Sequence, residues 1–271
     1  MSIPPSACWP DAVETLNRSG KSEVVLLCEH ASNHIPDEYE RLGLDPVQLQ
    51  RHIAWDIGAG ELTRRLSDRL DATAFLGCYS RLLIDLNRPL EAPGSIPVRS
   101  EDTDIPGNHG LDAAERMFRA DRMFWPFHQA IAEHLASRLE RGVPTCIVSI
   151  HSFTPVFFHE ARPWHAGVLY GEARDFGEKA VELLQADRDL VVAANVPYVI
   201  SLDGDYAVPV HGDRLGLPAI LLEIRQDLLA DDAGIRIWAD RLAAMLSARP
   251  WNGTAGSGMD ARASCISSPA S

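Results

Sequence analysis

The stretch Val24-Val25-Leu26-Leu27-Cys28-Glu29-His30-Ala31-Ser32-Asn33 decides how the rest of the chain is read. A short run of apolar residues, unbroken by polar ones, is the pattern of a strand buried on both faces, and such strands belong to sheets covered by helices on either side. The run then stops on a glutamate and a histidine, two side chains that are costly to bury without a partner or a task. Working outward, short and mostly apolar runs return at 73–78, 82–86, 146–150, 166–170 and 219–224. Between them the segments 58–70, 111–141, 173–186 and 227–247 bring apolar residues back every three or four positions, which predicts helices. The alternation predicts an α/β fold, a three-layer sandwich around a mostly parallel or mixed sheet.

Outside these elements the composition changes. Residues 1–23 carry Pro4, Pro5 and Pro10 among polar side chains and read as an arm, 24–247 as one α/β domain, and 248–271, rich in Gly, Ser and Ala, as a flexible tail. A chain of 271 residues that is 46% hydrophobic can bury the core of one large domain. With 38 acidic against 25 basic residues the net charge is −13, a field that repels nucleic acid and anionic membranes and leaves any anionic substrate dependent on local cations. Only Lys21 and Lys179 are lysines, so arginine is the default cation and an arginine alone is no sign of a binding site. The cysteines Cys8, Cys28, Cys78, Cys146 and Cys265 form no Cys-x-x-Cys pair and read as reduced thiols. No targeting segment and no membrane-length apolar run is evident, and a cytoplasmic protein is expected.

Four clusters fall at or near strand ends: Glu29-His30, Asp85-Leu86-Asn87-Arg88, Ser149-Ile150-His151-Ser152 and Leu222-Glu223-Ile224-Arg225. In open α/β sheets ligands bind beyond the carboxyl ends of the strands, so these clusters are expected to share one crevice. Together with His52-Ile53-Ala54-Trp55-Asp56-Ile57-Gly58, Ser80-Arg81-Leu82-Leu83-Ile84-Asp85-Leu86-Asn87-Arg88-Pro89 and Glu223-Ile224-Arg225-Gln226-Asp227, their order and spacing resemble the N-formylglutamate amidohydrolase family from about 24 to about 246. The resemblance implies a phosphorylase/hydrolase-like, zinc-carboxypeptidase-like fold, one divalent metal ion, expected to be zinc, and hydrolysis of a small N-formyl or N-acyl amino acid. N-formylglutamate, cleaved to formate and glutamate, is the substrate it names first.

Zinc takes histidine nitrogen and carboxylate oxygen and in catalytic sites keeps one position open, which makes His30 and His151 the best ligands. Carboxypeptidase-like enzymes present His-x-x-Glu first. Here the second position is Asn33, a poor ligand, so Asp56 at the start of a predicted helix is taken as the third ligand, with His34, His52 and Asn33 as alternatives. Glu223, charged within an apolar strand, is expected to act as general base and acid with its pKa raised by burial, or else to pair with Arg225. Arg81 is expected to stabilise the oxyanion, and Asn87 with Arg88 to grip the substrate carboxylate, a task suited to the planar guanidinium fork. A dicarboxylate would need another cation, for which Arg225 and Arg162 are the candidates. The loops 93–109 and 203–212 are expected to line the site, and His109, His128, His134, His159 and His165 to be structural or exposed. Two rival readings are a carboxypeptidase-like hydrolase of a peptide or cell-wall fragment and a metal-free binding protein or inactive relative. A serine hydrolase is disfavoured, because no Gly-x-Ser-x-Gly elbow is present.

Overall fold

Five of the six mostly apolar runs, all but 82–86, lie side by side through the middle of the molecule. The computed structural model describes residues 9–251. In chain order its elements are β1 (Val13–Leu16), β2 (Val24–Cys28), α1 (Ala59–Leu70), β3 (Thr73–Gly77), the two-residue strands β4 (Arg99–Ser100) and β5 (Thr103–Asp104), α2 (Ala113–Arg119) and α3 (Trp125–Glu140). There follow β6 (Cys146–Phe153), the hairpin β7 (Val156–Phe157) and β8 (Glu160–Ala161), β9 (Ala166–Tyr170), α4 (Arg174–Gln185), β10 (Val192–Ala194), β11 (Ala219–Arg225) and α5 (Asp232–Ser247). Seven strands form one sheet in the order β1-β3-β2-β6-β11-β9-β10. Its centre, β3-β2-β6-β11, is parallel, whereas β1 and β9 run antiparallel to their inner neighbours, so the sheet is mixed.

Alternation along β2 builds the three layers. Val24, Leu26 and Cys28 pack with Leu62, Leu66, Phe176, Trp238 and Leu242 of α1, α4 and α5. Val25 and Leu27 face the opposite layer, where Phe124, Phe127, Ile131 and Leu135 meet the buried residues of 82–86. The acidic caps of two helices follow the N-terminal rule: Asp112 and Asp231 accept from the backbone N–H of Glu115 and Gly234 at 2.8 Å each. Gly58 at the start of α1 has φ of 82°, and a Cβ there would stand 2.5 Å from Leu229 Cβ. Glycine is therefore required for the chain to turn into α1 just after Asp56.

Several expectations are corrected. The run 82–86 is not a strand. Leu82, Leu83, Ile84 and Leu86 are buried in an irregular segment whose backbone is held by a turn, Leu83 N–H to Ser80 O at 3.0 Å, and by Asp85 N–H donating to Ser95 O at 2.7 Å. A short apolar run carries no period that separates a strand from a buried turn. The span 111–141 is two helices joined through a π-helical turn at Ala120–Phe124, and 227–247 becomes helical only at Asp232, after a 3₁₀ turn. Within the expected arm, β1 pairs with β3, and its Glu14 holds Arg64 of α1 at 2.6 Å. Trp251 is buried against Phe176, so packed chain continues past 247, while 1–8 and 252–271, including most of the expected tail, lie outside the described residues. Cys28, Cys78 and Cys146 are free thiols. No helix among the described residues is long and apolar enough to cross a membrane.

Candidate active site

The carboxyl ends of β2, β6 and β11 converge on one crevice. Glu29 and His30 continue directly from β2, and β6 runs three residues longer than its apolar core, so that Ser149 and His151, two apart, point to one side of the sheet. The parallel pairing of β11 with β6 sets Glu223 opposite His151. Asp56 is pinned from both sides: its N–H donates to His30 O at 3.0 Å, and its Oδ2 accepts from Ser152 N–H at 3.2 Å.

His30, Asp56 and His151 are all buried, and one ligand atom from each lies within 4.8 Å of the others. Asp56 Oδ2 is 3.5 Å from His30 Nδ1 and 2.8 Å from His151 Nδ1. The far nitrogen of each ring meets a further carboxylate, His30 Nε2 to Asp85 Oδ1 at 2.7 Å and His151 Nε2 to Glu29 Oε2 at 2.9 Å. The Ser149 hydroxyl donates to the same Glu29 oxygen at 2.6 Å. A proton held on each Nε2 by its carboxylate turns both Nδ1 atoms to the centre of the cluster, where an ion would take the place of any Nδ1 proton, the arrangement that prepares histidine to bind a metal. His30 Nδ1 is buried yet has no hydrogen-bond partner. An orphaned imidazole nitrogen beside a second imidazole and a carboxylate is a donor set that fits a divalent ion such as zinc.

The electrostatics point the same way. Burial opposes an imidazolium at His151, but the hydrogen bonds its ring donates to the Asp56 and Glu29 carboxylates outweigh it and hold the pKa well above the ordinary histidine value. Burial likewise opposes charge at Glu29, Asp56 and Asp85, but His151 for Glu29, the two histidines for Asp56, and Arg81 with His30 for Asp85 keep all three below the usual carboxylate range. The cluster thus attracts positive charge. Glu223 differs. Burial pushes its pKa up to about 7, Asp56 adds to the effect, and His151 and Arg81 only partly oppose it. Its Oε2 is buried and unpartnered.

His30, Asp56, Asp85, His151 and Glu223 line a cavity of about 610 Å³, together with Arg81, Asn87, Arg88, residues 92–94 and residues 198–205 apart from Ile200 and Leu202. Arg81 binds Asp85 Oδ2 through Nε at 3.1 Å and Nη2 at 2.6 Å, and Asp56 Oδ1 through Nη1 at 3.2 Å, so it braces two carboxylates of the cluster. Asn87 ties down the loop that follows Gly204: its amide donates to Asp205 Oδ1, and its oxygen accepts from the N–H of Tyr206 and Ala207. Arg88 lines the cavity and donates through Nη1 to Gly204 O.

The cations expected for a second carboxylate lie elsewhere. Arg225 is bound to Asp227 at 2.8 Å and directed at the carbonyls of residues 162–164, while Arg162 stacks on the rings of Phe157 and Tyr198 at 4.5 and 4.9 Å. Neither is among the described residues lining the cavity. Glu223 makes no ion pair with Arg225 among the described residues. Of the alternative third ligands, Asn33 donates to Leu49 O at 2.9 Å, His34 is exposed, and His52 lines the cavity with Nε2 3.1 Å from Glu101.

Glu29 and Asp85 received no role from sequence reasoning, although each is an acidic residue in or beside an apolar run, the same signal that singled out Glu223. The spacing of Ser149 and His151 on one strand face was the signal for Ser149.

The family model for N-formylglutamate amidohydrolase matches residues 22–230. The product of gene Atu2144 from Agrobacterium tumefaciens has a similar crystal structure, with a TM-score of 0.86 and 36% identity over 90% of this chain and 96% of that one. N-formylglutamate amidohydrolase from Ralstonia eutropha JMP134 superimposes with a TM-score of 0.67 at 17% identity, over 90% of this chain and all of the other, a likeness of fold. No curated protein matches at a significant level. With its family model matched over most of its length, and with an amidohydrolase-type α/β fold around the crevice, the chain belongs to the N-formylglutamate amidohydrolase family.

Proposed function

We propose that this protein is a metal-dependent amidohydrolase that cleaves the amide of a small N-formyl or N-acyl amino acid, giving the free acid and the free amino acid. The observation that carries the reading is the buried His30–Asp56–His151 cluster sharing one cavity with the unpartnered carboxylate of Glu223. His30, Asp56 and His151 would hold the ion, which when bound would supply Lewis-acid polarisation of water and of the scissile carbonyl. Glu29 and Asp85 hold the two imidazoles in orientation through their Nε2 atoms. Glu223, with a pKa near neutrality, would take a proton from the attacking water and return it to the leaving amine nitrogen. Arg81, bound to Asp56 of the cluster, would stabilise the oxyanion through N–H groups not already bound to Asp56 and Asp85. Arg88 would bind the substrate α-carboxylate with the open side of its fork.

Turnover of N-formyl, N-acetyl and N-succinyl amino acids, measured with and without a chelator, tests the reading. N-formylglutamate, named by the family, is the reference compound. Chelator-sensitive release of an amino acid from at least one of these compounds is expected. Folded, metal-replete protein that hydrolyses none of them would refute the reading.

A further inference from the structure

The charges and the apolar surface of the cavity are unevenly placed. Arg81 and Arg88 are the only lysine or arginine side chains among the described residues lining it, and Arg81 is already bound to Asp56 and Asp85. Arg88 is left as one guanidinium with a partly open fork, enough to bind one carboxylate. On either side of Gly204, which accepts from Arg88, the cavity presents Asp203 and Asp205. A second carboxylate close to the first would meet these acidic groups and find no cation. Another part of the lining is largely apolar, with Phe157, the ring of Tyr198 and Val199. That wall is braced from outside by Arg162, whose guanidinium stacks on Phe157 and Tyr198 and donates to the Tyr198 hydroxyl at 3.0 Å. It also continues outward, with Phe158 and Leu202 on the same two segments 60% and 72% exposed.

We infer that the substrate of this site carries a single carboxylate and an apolar side chain, because the cavity offers one open guanidinium flanked by aspartates and, elsewhere in its lining, Phe157, Tyr198 and Val199. The inference rests on the amidohydrolase reading and narrows its substrate class. The site would bind the α-carboxylate at Arg88 and lay the side chain against the aromatic wall. A glutamate side chain would place an unpaired negative charge in an acidic cavity, and a binding site rejects a group whose charge it leaves unmatched.

Initial rates of the metal-replete enzyme with N-formyl-L-leucine, N-formyl-L-glutamate and N-formyl-L-lysine test this directly. We expect kcat/KM for the leucine compound to exceed that for either charged compound at least about tenfold, the ratio that corresponds to one unmatched polar interaction. Equal or better turnover of the glutamate or lysine compound would overturn the inference while leaving the amidohydrolase reading intact. Absence of turnover with all three, in folded and metal-loaded protein that hydrolyses no other N-acyl amino acid, would overturn both. A second arm places a cation on the apolar wall. Val199→Arg should shift the leucine-to-glutamate ratio toward glutamate by about tenfold, and an unchanged ratio would overturn the assignment of that wall.

Discussion

Glu223 stands directly across from His151 in the parallel pairing of β11 with β6, so one register fixes the distance between the proposed proton carrier and the proposed metal cradle. A slip of one residue would turn Glu223 to the other face of the sheet, among the side chains of α4 and α5. Burial of both neighbouring strands enforces the register, since Leu222 and Ile224 pack in that other layer.

Replacing Glu223 with Gln should leave bound metal unchanged and lower turnover by ~10²–10⁴-fold, the usual worth of general acid–base assistance. A base acts in its ionised form, so kcat/KM of the parent should fall as pH drops through the pKa of Glu223. That pKa is about 7 without metal. A nearby divalent ion favours the carboxylate, so the acidic limb of the metal-replete enzyme should lie below that value and should vanish in Glu223→Gln. Near-normal turnover in a folded, metal-loaded variant would remove Glu223 from the mechanism.

The same residue should influence stability in metal-free protein. Folding raises its pKa from the ordinary 4.5 to about 7, so the folded state favours the protonated form. That contribution is present below pH 4.5 and is lost as pH rises to about 7, by an amount of order 3 kcal/mol. Chelator-treated Glu223→Gln should therefore gain melting temperature over the parent at pH 8 relative to pH 5. An identical difference at both pH values would contradict the burial of an ionising Glu223.

Arg88→Lys should raise KM for a carboxylate substrate roughly ten- to a hundredfold, the effect of losing a charge-assisted bidentate contact of about 1.5–3 kcal/mol. Its melting temperature should change little, because Arg88 is half-buried and the one hydrogen bond of its guanidinium among the described residues is to the carbonyl of Gly204. Unfolding of the variant with normal substrate affinity in its folded fraction would make Arg88 a structural residue.

Asp85→Asn removes the carboxylate that faces both His30 Nε2 and the Arg81 guanidinium. Metal affinity should fall about 10–100-fold, as it does when the partner of a ligating histidine is lost. Glu29→Gln, acting on His151 Nε2, should fall in the same range. Competition titrations against a chromogenic chelator measure both. Unchanged affinity in the two variants would mean that the imidazoles need no orientation.

The central strands were legible because a strand buried on both faces writes itself as a short, mostly apolar run, and β2, β3, β6, β9 and β11 all do. β1 and β10 were not, since they are edge strands of four and three residues whose side chains are mostly half-buried. His30, Asp56 and His151 could be picked out from their positions beyond or late in predicted strands or ahead of a predicted helix, and the structure brings them together. The partners Glu29 and Asp85 matter through contacts across 122 and 55 positions, which no local pattern reports. Alternation placed Arg225 on the face of Glu223, but it says nothing of Asp227 two residues on, which captures the guanidinium outside the cavity.

The most direct test of the central claim is zinc titration of chelator-stripped protein, following both bound metal and hydrolysis of an N-formyl amino acid. The parent should regain activity in proportion to metal and saturate near one ion per chain, whereas folded His30→Ala and His151→Ala should neither bind at that affinity nor recover turnover, and His134→Ala, on α3, should behave as the parent. Full activity in stripped parent protein, or stoichiometric tight binding by folded His151→Ala, would contradict the account.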